Sequence, residues 1–308
     1  MTLQAMAVRR PRGPRARLNR KTLTGWAFAS PTALFIGLLF ILPILLVLQM
    51  SGSDWPLFAG RQGTNLPDNF QDAIDNRFFW PSVWFTLKYT LITTVILIAL
   101  GLGLALLVQE TTRWKGLLRT VILVPSALGL ASASLLFYAL YSPQSGPISP
   151  ALENLGLIDD PISFLGTPTR ALLATVFLVV WRFTGFYMLL LLVGLQGISP
   201  ELYEASEIDG AGRWAMFRHI TLPLIRPTLA LCTIMCVTGS LLAFDQFYIL
   251  TKGGPDNSTI TLVQLIYITA FQGRNDLGVA AAISIIVLIA LLVVNFATFR
   301  LMRSPEER

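Results

Sequence analysis

Charge is what this sequence has least of. Only 13% of its 308 residues are charged, against 54% hydrophobic, and its mean hydropathy is +0.65. A soluble chain carries about 25% charged residues. A water-soluble protein of this length needs a polar surface around its cores, and the residues for one are missing. The same composition excludes a disordered polar chain. Cysteine is nearly absent. Cys232 and Cys236 share one apolar run, four residues apart and so on one helix face, which excludes a disulfide framework or a zinc site and leaves packing. His219 is the only histidine, and a metal site needs several ligands. No G-x-x-x-x-G-K-[ST] string occurs, so the phosphate cradle of an ATPase is lacking. The apolar runs hold no paired acids or His/Ser cluster, which argues against a membrane-embedded enzyme.

Long apolar runs are what the sequence does have. A bilayer core of about 30 Å needs about 20 apolar helical residues. Six runs meet that need, over 25–49, 83–108, 120–141, 170–195, 223–250 and 277–299. The reading is an all-α membrane protein with six transmembrane helices. A barrel would instead show alternating segments of about ten residues. The first run is longer than a signal peptide's apolar stretch and reads as an uncleaved span. Pro125 and Gly129 interrupt the third run, a pattern tolerated where neighbours satisfy the freed backbone groups. Gly101 and Gly103 are read as marks of close helix contact in the second run. An apolar stretch over 260–272 is too short to span and is placed at the outer surface. Gly253-Gly254-Pro255 reads as a turn, with Asp256, Asn257 and Ser258 as the start of the helix that follows.

Basic residues set the orientation. Seven lie in the first 21 positions, and the loops on the same side add Arg113, Lys115, Arg119, Arg213, Arg218 and Arg226. The opposite loops hold Arg61, Arg77, Lys252 and Arg274 against nine acidic residues. Both termini are therefore expected in the cytoplasm. Residues 1–24 read as a basic disordered tail that can lie on anionic membrane lipid. Residues 25–303 form the transmembrane domain, and 304–308 a short second tail. Basic charge so placed has a membrane explanation and gives no reason to expect nucleic acid.

The inner loop 196–222 is unusually well specified. Ser199 suits an N-cap, Pro200 the first helical position, and Glu201 and Glu204 the positive end of the helix dipole. Gly210 stops the helix. A short helix over 200–209 is expected, followed by a second helical stretch over 211–221 with Trp214, Phe217 and Ile220 on one stripe. The first helix is too short to be stable alone. Its face of Leu202, Ala205, Ser206 and Asp209 is small in the middle, which fits either close approach by another protein or packing on its own bundle.

Three features then converge. Glu204-Ala205-Ser206, three residues, Gly210, nine residues and Ile220-x-Leu222-Pro223 resemble the EAA loop of ABC-importer permeases, with Ser206 in place of the second alanine. The string Tyr203 to Gly212 is similar to the sugar-importer subgroup, and Phe244-Asp245-Gln246 through Gly254-Pro255 resembles the end of the fifth span in maltose-type permeases. The resemblance implies a type I importer fold in a bacterial inner membrane. It implies a second homologous permease, two ATPase subunits that bind the ATP and Mg, and an extracytoplasmic substrate-binding (lipo)protein, with no cofactor on this chain. It makes Glu204 and Gly210 coupling residues and Ala205 and Ser206 the docking face, with Asp209, Leu222 and Pro223 completing the loop. The implied small solute is carbohydrate-like: a di- or oligosaccharide or a glycerophosphodiester.

Ionisable residues inside spans are costly and face bundle interiors or water. Lys88 lies near an outer end and can snorkel. Arg182 lies mid-span and Asp245 in the outer third of the fifth run. They either pair with each other or with backbone freed near Pro125 or Gly185, or Arg182 lines the path and bonds substrate. Trp181, Thr184, Tyr187 and Gln246 are further path candidates. The competing reading is an ion-coupled secondary transporter, which calls for internal repeats and a carboxylate-rich midplane.

Overall fold

The computed structural model describes residues 20–110 and 112–302. The basic tail, apart from its last residues, and the segment 303–308 lie outside the described residues. Five helices are long and apolar enough to cross a membrane: Thr24–Ser51, Phe79–Val108, Pro168–Gln196, Arg226–Leu250 and Leu277–Arg300. The bent pair Arg113–Ala127 and Leu130–Leu140 makes a sixth when its two halves are counted together as one span. The contacts divide the chain into residues 1–47 and 48–308. The described part of the first unit is helical, with a π turn at Gly37–Ile41. Everything below concerns the second unit.

Its centre is the pairing of the second and fourth spans. The second span buries Thr86, Tyr89, Thr93, Leu97, Gly101, Ala105 and Val108, a run of three- and four-residue steps that forms one helical stripe. The two spans come close at Gly101, where a Cβ would stand 3.2 Å from Tyr187 Cβ and 3.3 Å from the backbone nitrogen of Met188 on the fourth span. Gly103 has nothing within 4 Å, so only one of the two glycines expected at a contact is there. Leu178, Met188, Leu191 and Leu192 fill the core between these spans, and Cys232 and Cys236 bring in the fifth. Both thiols are free and buried.

The third span is not one straight helix. Its two halves meet at 94°. Pro125 donates no backbone N–H, and the chain tightens into a 3-10 turn at Val124–Ala127 before Leu128 and Gly129 run extended. The first half starts earlier than the apolar run, at Arg113, with the Thr112 hydroxyl accepting from Lys115 N at 3.4 Å. Arg119 donates to the carbonyls of Val108 and Glu110, closing the C-terminal end of the second span. The guanidinium there sits at the negative end of the helix dipole. Beside it, Lys115 Nζ lies 2.7 Å from Glu110 Oε2 and holds that carboxyl below its usual range.

The fifth span begins at Arg226 rather than Pro223 and breaks after Leu241, resuming at Asp245. The break frees the Ala243 carbonyl, and the Thr261 hydroxyl donates to it at 2.7 Å. Thr261 also caps the short apolar helix Leu262–Gln272, accepting from Gln264 N at 3.2 Å. That helix was expected to start at Asp256; instead Asp256 and Asn257 take positive φ and belong to the turn. A two-residue ribbon, Ser53–Asp54 against Gly63–Thr64, is the one strand pair among the described residues. Asn69 fastens it, donating to Ser51 O at 3.0 Å and Ser53 O at 2.8 Å.

Candidate functional site

Two places in the second unit carry function-bearing geometry: a cavity among the spans and the loop after the fourth span.

The cavity holds about 290 Å³. Tyr89 and Leu97 line it from the second span, Phe183, Phe186 and Tyr187 from the fourth, and Met235, Cys236, Ser240 and Gln246 from the fifth. Leu130, the first residue after the bend of the third span, closes one side. Gln246 is 2% exposed. Its Nε2 donates to Tyr89 OH at 3.1 Å, while its Oε1 has no partner among the described residues. The hydroxyl of Thr90, next in the chain to Tyr89, is likewise buried and has no partner among the described residues. A mostly apolar pocket with a few polar side chains in its lining, here Tyr89, Tyr187, Ser240 and Gln246, is the usual form of a small-molecule site.

Of the path candidates, Gln246 and Tyr187 line the cavity and four do not. Trp181 packs on Phe137, ring centres 5.1 Å apart. Thr184 is buried and donates back to Val180 O at 2.5 Å. Arg182 Nε donates to Leu128 O at 2.8 Å, and its guanidinium lies 4.1 Å from the centre of the Phe183 ring. In return Ser126 Oγ donates to the Arg182 carbonyl at 2.8 Å. Arg182 thus meets the backbone freed at the bend and not Asp245, which is exposed and forms no ion pair among the described residues. Tyr89 and Ser240 were not anticipated. A signal for Tyr89 is present, because Tyr89, Thr90, Thr93 and Thr94 make a polar strip inside an otherwise apolar span.

The bend is seated by glycine. A Cβ on Gly185 would overlap the Ile122 carbonyl and come within 2.7 Å of Leu123 Cα. Only glycine lets the third span cross the fourth so closely, one turn from Arg182.

The inner loop carries the expected helix, Pro200–Ile208, with Asp209 as its C-cap. Ser199 takes the extended N-cap conformation but its side chain makes no capping bond. Gly210 stands at φ +81. Ala211 N donates to Ser206 O at 2.9 Å and Gly210 N to Glu207 O at 3.0 Å, the two-bond Schellman ending in which glycine avoids the Cβ penalty of left-handed backbone. Glu201, Leu202, Glu204, Ala205, Glu207, Ile208 and Asp209 are exposed, and Ser206 is half-buried. Glu204 has no ion pair among the described residues. Ile208 is 87% exposed, an unusual place for a large aliphatic side chain. The second helical stretch runs through Arg213–Met216 into a π turn, Phe217–Thr221, with the Trp214 and Phe217 rings stacked at 5.5 Å. Leu222 and Pro223 form the exposed elbow before the fifth span. His219 is exposed, with Nδ1 3.0 Å from Ala215 O. No group of three metal-ligating side chains exists among the described residues.

Comparison with known proteins places this geometry. The model of the family described as "Binding-protein-dependent transport system inner membrane component" matches residues 96–306. The lactose transport system permease protein LacF of Rhizobium radiobacter is 32% identical, over 90% of this chain and 93% of its own length. The trehalose/maltose transport system permease protein MalF of Thermococcus litoralis is 33% identical, over 83% of this chain and 90% of that one. A crystal structure of a bacterial ABC transporter involved in the import of alginate superposes with a TM-score of 0.80 and 23% identity, covering 92% of this chain and 96% of that one. That match shows a shared fold. The chain is a multi-pass membrane protein and a transport component, and it belongs to the binding-protein-dependent transport system inner membrane component family.

Proposed function

We propose that this chain forms half of a translocation path for a carbohydrate-like solute, delivered from outside by a binding protein and driven by ATPases on the cytoplasmic side. A second homologous permease supplies the other half. The names of the relatives support the solute class: lactose, trehalose/maltose and, for a Bacillus subtilis protein 29% identical over 286 residues, arabinooligosaccharides. The cavity agrees, since the tyrosines and the polar side chains of Ser240 and Gln246 in its lining suit a ring bearing hydroxyls. Sugars are thereby preferred to glycerophosphodiesters.

The observation that carries the proposal is the exposed helix Pro200–Ile208, held rigidly by its glycine ending and offering an unpaired Glu204. Tyr203 anchors this helix to its own bundle, but Glu204, Ala205 and Ile208 stay exposed and leave a face for a partner to cover. We assign that role to an ATPase subunit, with Glu204 facing a basic group, Ala205 and Ser206 at the contact, and Gly210, Asp209, Leu222 and Pro223 shaping the return. ATP and Mg reside on that partner. The basic bias of the loops puts this helix and both termini in the cytoplasm of a bacterial cell.

The test is ATP hydrolysis by the reconstituted complex of this chain, its partner permease, the ATPases and the binding protein against a solute panel. Stimulation by a sugar is expected. Transport that stops with a proton uncoupler while ATP is held constant would instead support an ion-coupled carrier.

A further inference from the structure

The docking helix joins the fifth span along the backbone through Gly210, Ala211 and Gly212, and a Cβ on either glycine would meet nothing within 4 Å. One side-chain contact bypasses this link. Tyr203 OH lies 2.9 Å from Thr221 Oγ1, the only side-chain hydrogen bond between the docking helix and the stretch leading to the fifth span among the described residues.

Tyr203 stands in the helix immediately before Glu204, and its ring packs against the main core cluster. Thr221 ends the π turn and is 4% exposed. Its Oγ1 also lies 3.5 Å from Met216 O. A π turn is a rare element and is frequent at functional sites. Here it places the Thr221 hydroxyl toward the docking helix while the chain continues to Met235, Cys236 and Ser240 at the cavity.

We propose that Tyr203 is the positioning residue of energy coupling, its hydroxyl on Thr221 making the docking helix and the root of the fifth span move as one body. This rests on the docking role assigned above to Pro200–Ile208. Displacement gripped at the helix then reaches the cavity through a ring and a hydrogen bond as well as along the backbone.

The experiment uses the complete transporter in proteoliposomes and reads solute moved per ATP hydrolysed. Tyr203→Phe keeps the ring and removes the hydroxyl. The ratio is expected to fall about fivefold, the scale of one hydrogen bond, with co-purification of the ATPase unchanged. Thr221→Val should lower the ratio alike, and the double variant should fall no further than either single one, because both remove the same contact. A wild-type ratio in Tyr203→Phe, or losses that multiply in the double variant, overturns the inference. The docking role has its own readout, solute-stimulated hydrolysis in Glu204→Lys. If that is lost while Tyr203→Phe keeps a wild-type ratio, docking stands and the strut does not.

Discussion

Gln246 brings two polar atoms into a buried pocket, and only Nε2 finds a partner. Gln246→Leu keeps the bulk and removes both. It is expected to raise the KM for solute about tenfold, the order of one or two hydrogen bonds, while ATP turnover without solute stays the same; an unchanged KM in transport assays would remove Gln246 from the path. Arg182 is at the opposite pole. Its Nε is engaged by the Leu128 carbonyl and its carbonyl by Ser126, so its work is to hold a bend. Arg182→Met leaves that carbonyl without a donor, at a cost of about 1–3 kcal/mol. Thermal unfolding of the purified protein should show the loss, with the KM for solute unaltered. A raised KM with normal stability would return Arg182 to the role of a substrate ligand. The sequence marked Arg182 as singular because charge inside a span is costly, but its partner was legible only once the bend was seen. Tyr89 hid for a related reason. A tyrosine in an apolar run signals packing and binding equally, and only the Gln246 contact separates them.

The helix Pro200–Ile208 was readable in sequence almost to the residue, because Pro200 and Gly210 are opposite kinds of stop signal with fixed places. Gly210→Ala forces a Cβ into left-handed backbone at φ +81, costing about 1–2 kcal/mol. Solute-stimulated hydrolysis should fall with membrane insertion intact; full stimulation would show that the glycine ending is dispensable. The third span was less legible. Pro125 and Gly129 announce an interruption, but its 94° angle depends on Gly185 and Arg182 some sixty residues away. The turn between the second and third spans offers a weaker interaction. The Glu110 carboxyl sits below its ordinary range because of Lys115, so the pair contributes fully above the ordinary carboxylate pKa and is lost as pH falls through the lowered one. Because the pair is exposed, Glu110→Gln should leave the melting temperature near neutral pH almost unchanged. A drop of many degrees would mean that the ion pair, rather than Arg119, closes this turn.

At the breaks in the third and fifth spans, a carbonyl is met by a donor from elsewhere in the chain: Leu128 by Arg182, and Ala243 by Thr261. Irregular backbone inside a bilayer survives only where it is satisfied in this way or faces water. Both breaks adjoin the cavity, through Leu130 on one side and Gln246 on the other. The sequence announced six spans and one exposed helix from composition and stop signals alone, since those follow from local chemistry. It did not announce where the spans meet, because a contact such as Gly101 on Met188 depends on residues far apart in the chain. The central claim is that an ATPase grips Pro200–Ile208 and so drives solute through the spans. The most direct measurement is solute-stimulated ATP hydrolysis by the reconstituted complex, wild type against Glu204→Lys. The account predicts stimulation in the first and its loss in the second, with both proteins equally inserted. Equal stimulation in the two, or uphill transport by this chain with no ATPase present, would contradict it.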